Sequence, residues 1–286
     1  MGEKDIDIDI DIDKLGLDND FLFSAVMGDE YICKTFLESL LKIKIEKIMR
    51  LDAQKTLNSG IDIKGIRLDI YVKDGKGTVY NVEMQVSKER NIPKRMRYYG
   101  SAMDEDLLRK GMFYQDLPNS YIIFICTWDY IGLGQGIYLF ENTLRGNPKC
   151  KLDDGMTRII LNTEGSLDGL ERNVVDLLTY IKSGAVSGDW VRMIDEKVRL
   201  LKSDKKWRAN FMMWIMHEEE LKREGIREGI REGKKEGIEK GVQALIEVLS
   251  EDGYKMDAIQ DRIIQKFNMS EDIAKGYIEK YLSLQV

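Results

Sequence analysis

Apolar residues recur three and four positions apart between Asn19 and Lys47, at Phe21, Ala25, Ile32, Phe36, Leu37, Leu40, Leu41 and Ile45. This is the spacing of one helical face, with a break expected near Gly28–Asp29. Further on the period changes to two. Ile66, Leu68, Ile70 and Val72 alternate with Arg67, Asp69 and Tyr71. After Asp74-Gly75-Lys76-Gly77, the residues Tyr80, Val82, Met84 and Val86 alternate with Asn81, Glu83 and Gln85. Two such runs around a glycine-rich turn predict a β-hairpin over residues 61–86. Pro93 then opens a helix with Met96, Tyr99, Met103 and Leu107 on one face, stopping near Gly111.

The run YIIFIC at 121–126 does not alternate and is rich in β-branched residues, so it reads as a buried central strand. Residues 136–142 and 157–162 predict two more strands, and Leu167–Lys182 and Val191–Glu220 predict helices. Residues 221–241 carry glycine at 225, 229, 233, 237 and 241. The pairs Glu224/Arg227, Glu228/Arg231 and Glu232/Lys235 favour a helix there. Each glycine opposes it by about 1 kcal/mol relative to alanine, which predicts a marginal connecting helix. The Asp-Ile alternation of residues 1–16 fits an edge strand or a disordered tail, and acid at every second position favours the tail. The expected organisation is an acidic tail (1–16), a core domain (17–165), a helical segment packed on it (166–220), a glycine-spaced linker helix (221–245) and a small helical unit (246–286).

Charge and composition narrow the chemistry. The formal charge is −6, and residues 1–20, with eight acids and two lysines, account for all of it. The rest is neutral, so basic patches have to be judged locally. His217 is the only histidine, which disfavours serine and cysteine triads and histidine-based metal sites. No GxxxxGK[ST] loop is present, and no GxGxxG follows a strand. An enzyme of this composition would work through carboxylates. Cys33, Cys126 and Cys150 form no CxxC pair and read as reduced thiols. With no signal-like start and no apolar run of about 18 residues, a cytoplasmic protein without a membrane span is expected.

The hairpin offers such carboxylates. Its apolar positions are even-numbered on both strands, so Asp69, Glu83 and Gln85 leave on the opposite face. A pairing register summing to 152, with Gly75-Lys76-Gly77 as a three-residue loop, sets Asp69 directly opposite Glu83. Side chains so placed lie about 5 Å apart at Cβ and can share one cation. The bland alternative is that this stripe is simply a solvated face. Against it, Lys88, Arg90, Lys94, Arg95 and Arg97 with Glu89 put a net +4 directly after the acids, as phosphate-backbone binding requires.

The segments RLDIYV, NVEMQV and PKRMRYYGSAMDEDLLRKGMFYQDLPNSYIIFI, preceded by DNDFLFSAVMGDE and FLESLL, resemble the Rpn-type recombination-promoting nucleases, also known as YhgA-like transposases. That family lies within the PD-(D/E)XK superfamily, and the resemblance covers roughly residues 18–165. It implies an α/β restriction-endonuclease-like core, a mixed sheet flanked by helices, followed here by a C-terminal helical extension. It also implies a DNA endonuclease linked to recombination or mobile elements, using Mg²⁺ or another hard cation such as Mn²⁺ or Ca²⁺. Asp69 and Glu83 match the family's metal ligands, and Gln85 stands where the superfamily has lysine. Glutamine keeps a donor to position water but lacks the charge. Asp20 and Glu38 are candidates for an additional acid from the first helices; capping and helix surface are their alternatives. Arg95 and Tyr99 match the helix after the motif and are candidates for phosphate contact, although Tyr99 also fits the apolar stripe. Competing readings are a catalytically weak nucleic-acid-binding module, and an assembly protein that forms homo-oligomers through residues 221–286.

Overall fold

The computed structural model describes residues 10–57, 65–88 and 91–282. Of the acidic segment, Ile12–Lys14 form one 3-10 turn with Ile12 buried, and Lys202 Nζ donates to the Asp13 carbonyl at 3.0 Å. Met1–Asp9 lie outside the described residues. The chain divides into two compact units, Met1–Ala209 and Asn210–Val286.

In the first unit, α1 (Asp20–Met27) is capped by Asn19, whose side chain accepts the Leu22 N–H, and it ends at Gly28. Asp29 caps α2 (Glu30–Leu41) by accepting from Tyr31 N and Ile32 N, so the expected break at Gly28–Asp29 is a stop followed by a cap. Next come β1 (Ile48–Leu57), β2 (Ile66–Asp74) and β3 (Val79–Gln85). No strand was legible over β1. It is an edge strand with a bulge at Ile48/Arg50 and Gln54 at φ 55°, so its apolar residues do not alternate. α3 (Ile92–Leu107) carries Pro93 in its first turn and ends four residues before Gly111.

β4 (Ser120–Cys126) is the predicted central strand, and Ile122–Cys126 are fully buried. β5 (Ile137–Phe140) and β8 (Met156–Asn162) correspond to the two further strands, and between them β6 (Thr143–Leu144) and β7 (Asn147–Lys151) form a separate ribbon. The main sheet has the order β1-β2-β3-β4-β8-β5. β3, β4 and β8 run parallel, while β1, β2 and β5 are antiparallel to their neighbours. This is the expected mixed sheet flanked by helices. α3 packs on β4 closely enough that a Cβ at Gly100 would lie 2.7 Å from Met156 Cε and 3.0 Å from Ile122 Cδ1. α1 packs on β1, β2 and β3, and α4 (Arg172–Ser183) and α5 (Gly188–Ser203) pack on each other and on α2 and α1.

The helix expected over Val191–Glu220 is interrupted at Asp204. Its carboxylate caps the next helix by accepting the Trp207 N–H at 2.6 Å. That helix, α6 (Lys205–Glu251), runs through the glycine repeat without a break. In the second unit α7 (Met256–Phe267) and α8 (Glu271–Leu282) pack on the end of α6 around Val242, Ile246, Ile259, Ile263, Ala274 and Ile278. Among the described residues, no helix is long and apolar enough to cross a membrane.

Candidate active site

The hairpin register is the one expected. Ile70 pairs with Val82, Tyr71 with Asn81, Val72 with Tyr80 and Lys73 with Val79, so each pair sums to 152. Gly77, at φ 90°, supplies the left-handed residue of the turn, and its N–H donates to the Asp74 carbonyl. The ladder stops at Ile70–Val82, and the next pair takes over with its side chains. Glu83 Oε1 accepts the Asp69 N–H at 3.0 Å, and Asp69 Oδ2 accepts the Met84 N–H at 2.9 Å. Each carboxylate is thus clamped through one oxygen to the opposite strand.

The polar face is not solvated. Asn81, Glu83 and Gln85 are buried, at 0%, 2% and 5% exposure, and Asp69 is half-buried. Burial pushes the Asp69 carboxyl up to about 7. The Asp20 carboxylate adds to the shift, while the Met84 N–H, Arg67 and Arg95 oppose it. Glu83 is raised well above the ordinary carboxylate range by burial first and then by Asp69. The Asp69 N–H, Arg95 and Asn81 oppose that shift.

Gln85 is committed on both sides. Its Nε2 donates to the Ser87 carbonyl at 3.1 Å and to Ser87 Oγ at 3.0 Å, and its Oε1 accepts from Arg95 Nη1. Arg95 Nη2 also donates to the Tyr99 hydroxyl at 3.2 Å, and its guanidinium lies over the Tyr99 and Phe124 rings. The cation absent from position 85 on β3 is therefore present on α3, held against the glutamine and acting on both carboxylates. Tyr99 is half-buried and packs on the apolar clusters on either side of it, as its place in the apolar stripe predicts.

Of the other candidates, Asp20 opens α1 and acts on Asp69. Glu38 serves the α2–β1 connection, where its Oε1 accepts the Ile45 N–H at 2.7 Å. Lys88, Lys94 and Arg97 are exposed on the β3–α3 connection and the start of α3. Arg90 lies outside the described residues. Two contributors went unrecognised, Arg67 and Asn81, although both are odd-numbered and the alternation had already put them on the face of Asp69 and Glu83.

Among the described residues, no group of three or more His, Cys, Asp or Glu is arranged to hold a metal ion. The donor set here is smaller and different in kind. It consists of two carboxylates, each with one oxygen, Asp69 Oδ1 and Glu83 Oε2, left outside the backbone clamps. Two adjacent acids raised by burial and mutual repulsion suit a hard cation, which offsets both effects and takes oxygen ligands. Residues 17–147, which carry all of these groups, match the family model described as PD-(D/E)XK nuclease family transposase. No protein of curated function matches the chain.

Proposed function

We propose that this chain, whose residues 17–147 match the PD-(D/E)XK nuclease family transposase model, hydrolyses DNA phosphodiester bonds at Asp69 and Glu83 with a hard divalent cation. The observation that carries this reading is the interlocked pair of carboxylates, Glu83 buried and Asp69 half-buried, each fixed through one oxygen to the opposite strand. When bound there, Mg²⁺ or Mn²⁺ supplies a Lewis acid that activates water and neutralises phosphate charge. Asp69 and Glu83 hold it, and their backbone clamps keep the two free oxygens from turning away.

Arg95 supplies the positive charge that a lysine at position 85 would have carried. Gln85 then acts as the link between Arg95 and β3, and charge developing on the phosphate is stabilised by the guanidinium. Lys88, Lys94 and Arg97 contact neighbouring phosphates along the backbone, which makes affinity salt-dependent and independent of sequence. The link to recombination or mobile elements, and a cytoplasmic location, follow from the same family reading.

A second reading has one specific observation behind it: Gln85 has both ends of its amide engaged, which leaves it no spare donor and at most one Oε1 lone pair for a water. That favours a weakly catalytic DNA-binding module. A plasmid-nicking assay with and without Mg²⁺, run beside Asp69→Ala and Glu83→Ala, separates the two. Cation-dependent nicking lost in both variants supports the nuclease. DNA binding without nicking under any divalent cation supports the binding module, and nicking that survives both substitutions removes the site from consideration.

A further inference from the structure

Asn81 lies in the middle of β3, paired with Tyr71 on one side and Ile122 on the other, and has no exposed surface. Tyr71 and Ile122 belong to the two apolar clusters that pack beneath α3. An amide between them is costly. Among the described residues, neither Asn81 Oδ1 nor Nδ2 has a hydrogen-bond partner of normal geometry. Burying such a group unpaired costs about 1–3 kcal/mol on mutational scales, and an apolar β-branched residue would remove that cost. The fold therefore gains nothing from the amide at this position.

The site can use it. Asn81 is two residues before Glu83 on the same strand, so both side chains leave on one face. Its amide favours the charged form of the Glu83 carboxylate through a side-chain hydrogen bond that falls short of normal geometry. Glu83 Oε1 is already held by the Asp69 N–H, whereas Oε2 has no such restraint. We propose that Asn81 is a positioning residue: its side-chain N–H engages the Glu83 carboxylate in the cation-bound state and fixes the direction in which Oε2 faces. This inference rests on the proposed cation site.

The test compares Asn81→Val with Asn81→Thr, two side chains of nearly equal shape that differ by a hydroxyl donor, using the full chain. Mn²⁺ binding is measured by calorimetry, thermal unfolding is measured without cation, and plasmid cleavage is resolved into kcat and KM. Asn81→Val should unfold at a temperature no lower than the wild type yet bind Mn²⁺ about tenfold more weakly, the effect of losing a group that orients a metal ligand. Its kcat should fall while KM for DNA holds, and Asn81→Thr should recover part of the affinity. Equal Mn²⁺ affinity in the wild type and Asn81→Val overturns the role of Asn81 and leaves the cation site standing. A wild type that binds no Mn²⁺ overturns both. If Asn81→Val fails to fold, the Asn81 side-chain amide resonances of the wild type decide, because they should shift on adding Mg²⁺, and resonances that stay in place reject the contact.

Discussion

Asp69 and Glu83 exchange roles across the hairpin: Glu83 accepts the backbone N–H of Asp69 at 3.0 Å, and Asp69 accepts the N–H of the residue after Glu83 at 2.9 Å. Side-chain oxygens thus continue the ladder beyond Ile70–Val82, and the two acids are held together by the sheet itself. Both hold their protons more tightly in the folded chain than in an unfolded one, where carboxyls titrate near 4. Several consequences can be measured.

Without divalent cation, stability should fall as pH rises from about 4 to 7. In that window the unfolded chain releases protons that folded Asp69, raised to about 7, still holds. Asp69→Asn does not ionise and escapes this loss. The full rise corresponds to roughly 4 kcal/mol at about 1.4 kcal/mol per tenfold change, and partial exposure reduces it to about 1–3 kcal/mol. Urea unfolding in EDTA should show Asp69→Asn gaining on the wild type by that amount between pH 4 and pH 8. Parallel pH profiles would contradict the buried-acid picture.

Cation affinity should follow the opposite slope. Protons and cation compete for Asp69 and Glu83, so Mn²⁺ binding should strengthen as pH rises toward and past about 7. Glu83→Gln, which keeps the shape but loses the charge, should abolish binding with little loss of stability. Calorimetry at three pH values checks both points.

The Gln85–Arg95 pair predicts a charge exchange. Arg95→Ala should lower kcat by about 10²–10³ if its guanidinium stabilises phosphate charge. Gln85→Lys alone sets two cations against each other and should not raise activity. The double variant Gln85→Lys/Arg95→Gln returns the cation to the strand and should recover much of the rate. Additive effects in this cycle would show that the two residues act independently.

Glu38→Ala should cost about 1.5–3 kcal/mol, typical of a backbone bond to a charged group, by freeing the Ile45 N–H. It should leave Mn²⁺ affinity within twofold of the wild type. A tenfold loss of affinity would return Glu38 to the cation site.

In the long helix, a Cβ at Gly225, Gly229, Gly233 or Gly237 meets nothing within 4 Å, whereas at Gly241 it meets the Phe267 ring at 3.1 Å. Alanine at each of the first four should stabilise the local helix by up to about 1 kcal/mol. At Gly241 the ring must give way, and the gain should shrink or reverse. Hydrogen exchange of the amides over 221–241 separates the two cases.

How far these features could be read beforehand differs from one residue to the next. Period-two alternation and a turn with Gly77 in the left-handed region leave one pairing that keeps the apolar residues of both strands on one face, so Asp69 opposite Glu83 was legible in the sequence. The break at Gly28–Asp29 and the buried strand at 121–126 were legible for the same reason: each depends on residues a few positions apart. The glycine repeat was legible as a helix from its local ion pairs, but that it is one part of a 47-residue helix was not.

What covers a face is a different matter. Alternation assigned Asn81, Glu83 and Gln85 to one side of the hairpin but could not say whether that side was wet. Only the packing of α3 over the sheet buries them, raises the acids and brings Arg95 to Gln85. The same holds for Asp20, which acts on Asp69 from another helix, and for Glu38, which turns to a loop instead. A local pattern determines the direction in which a side chain leaves the backbone. Its solvation, charge partners and acidity are set by distant segments, and those contacts exist only in the folded protein.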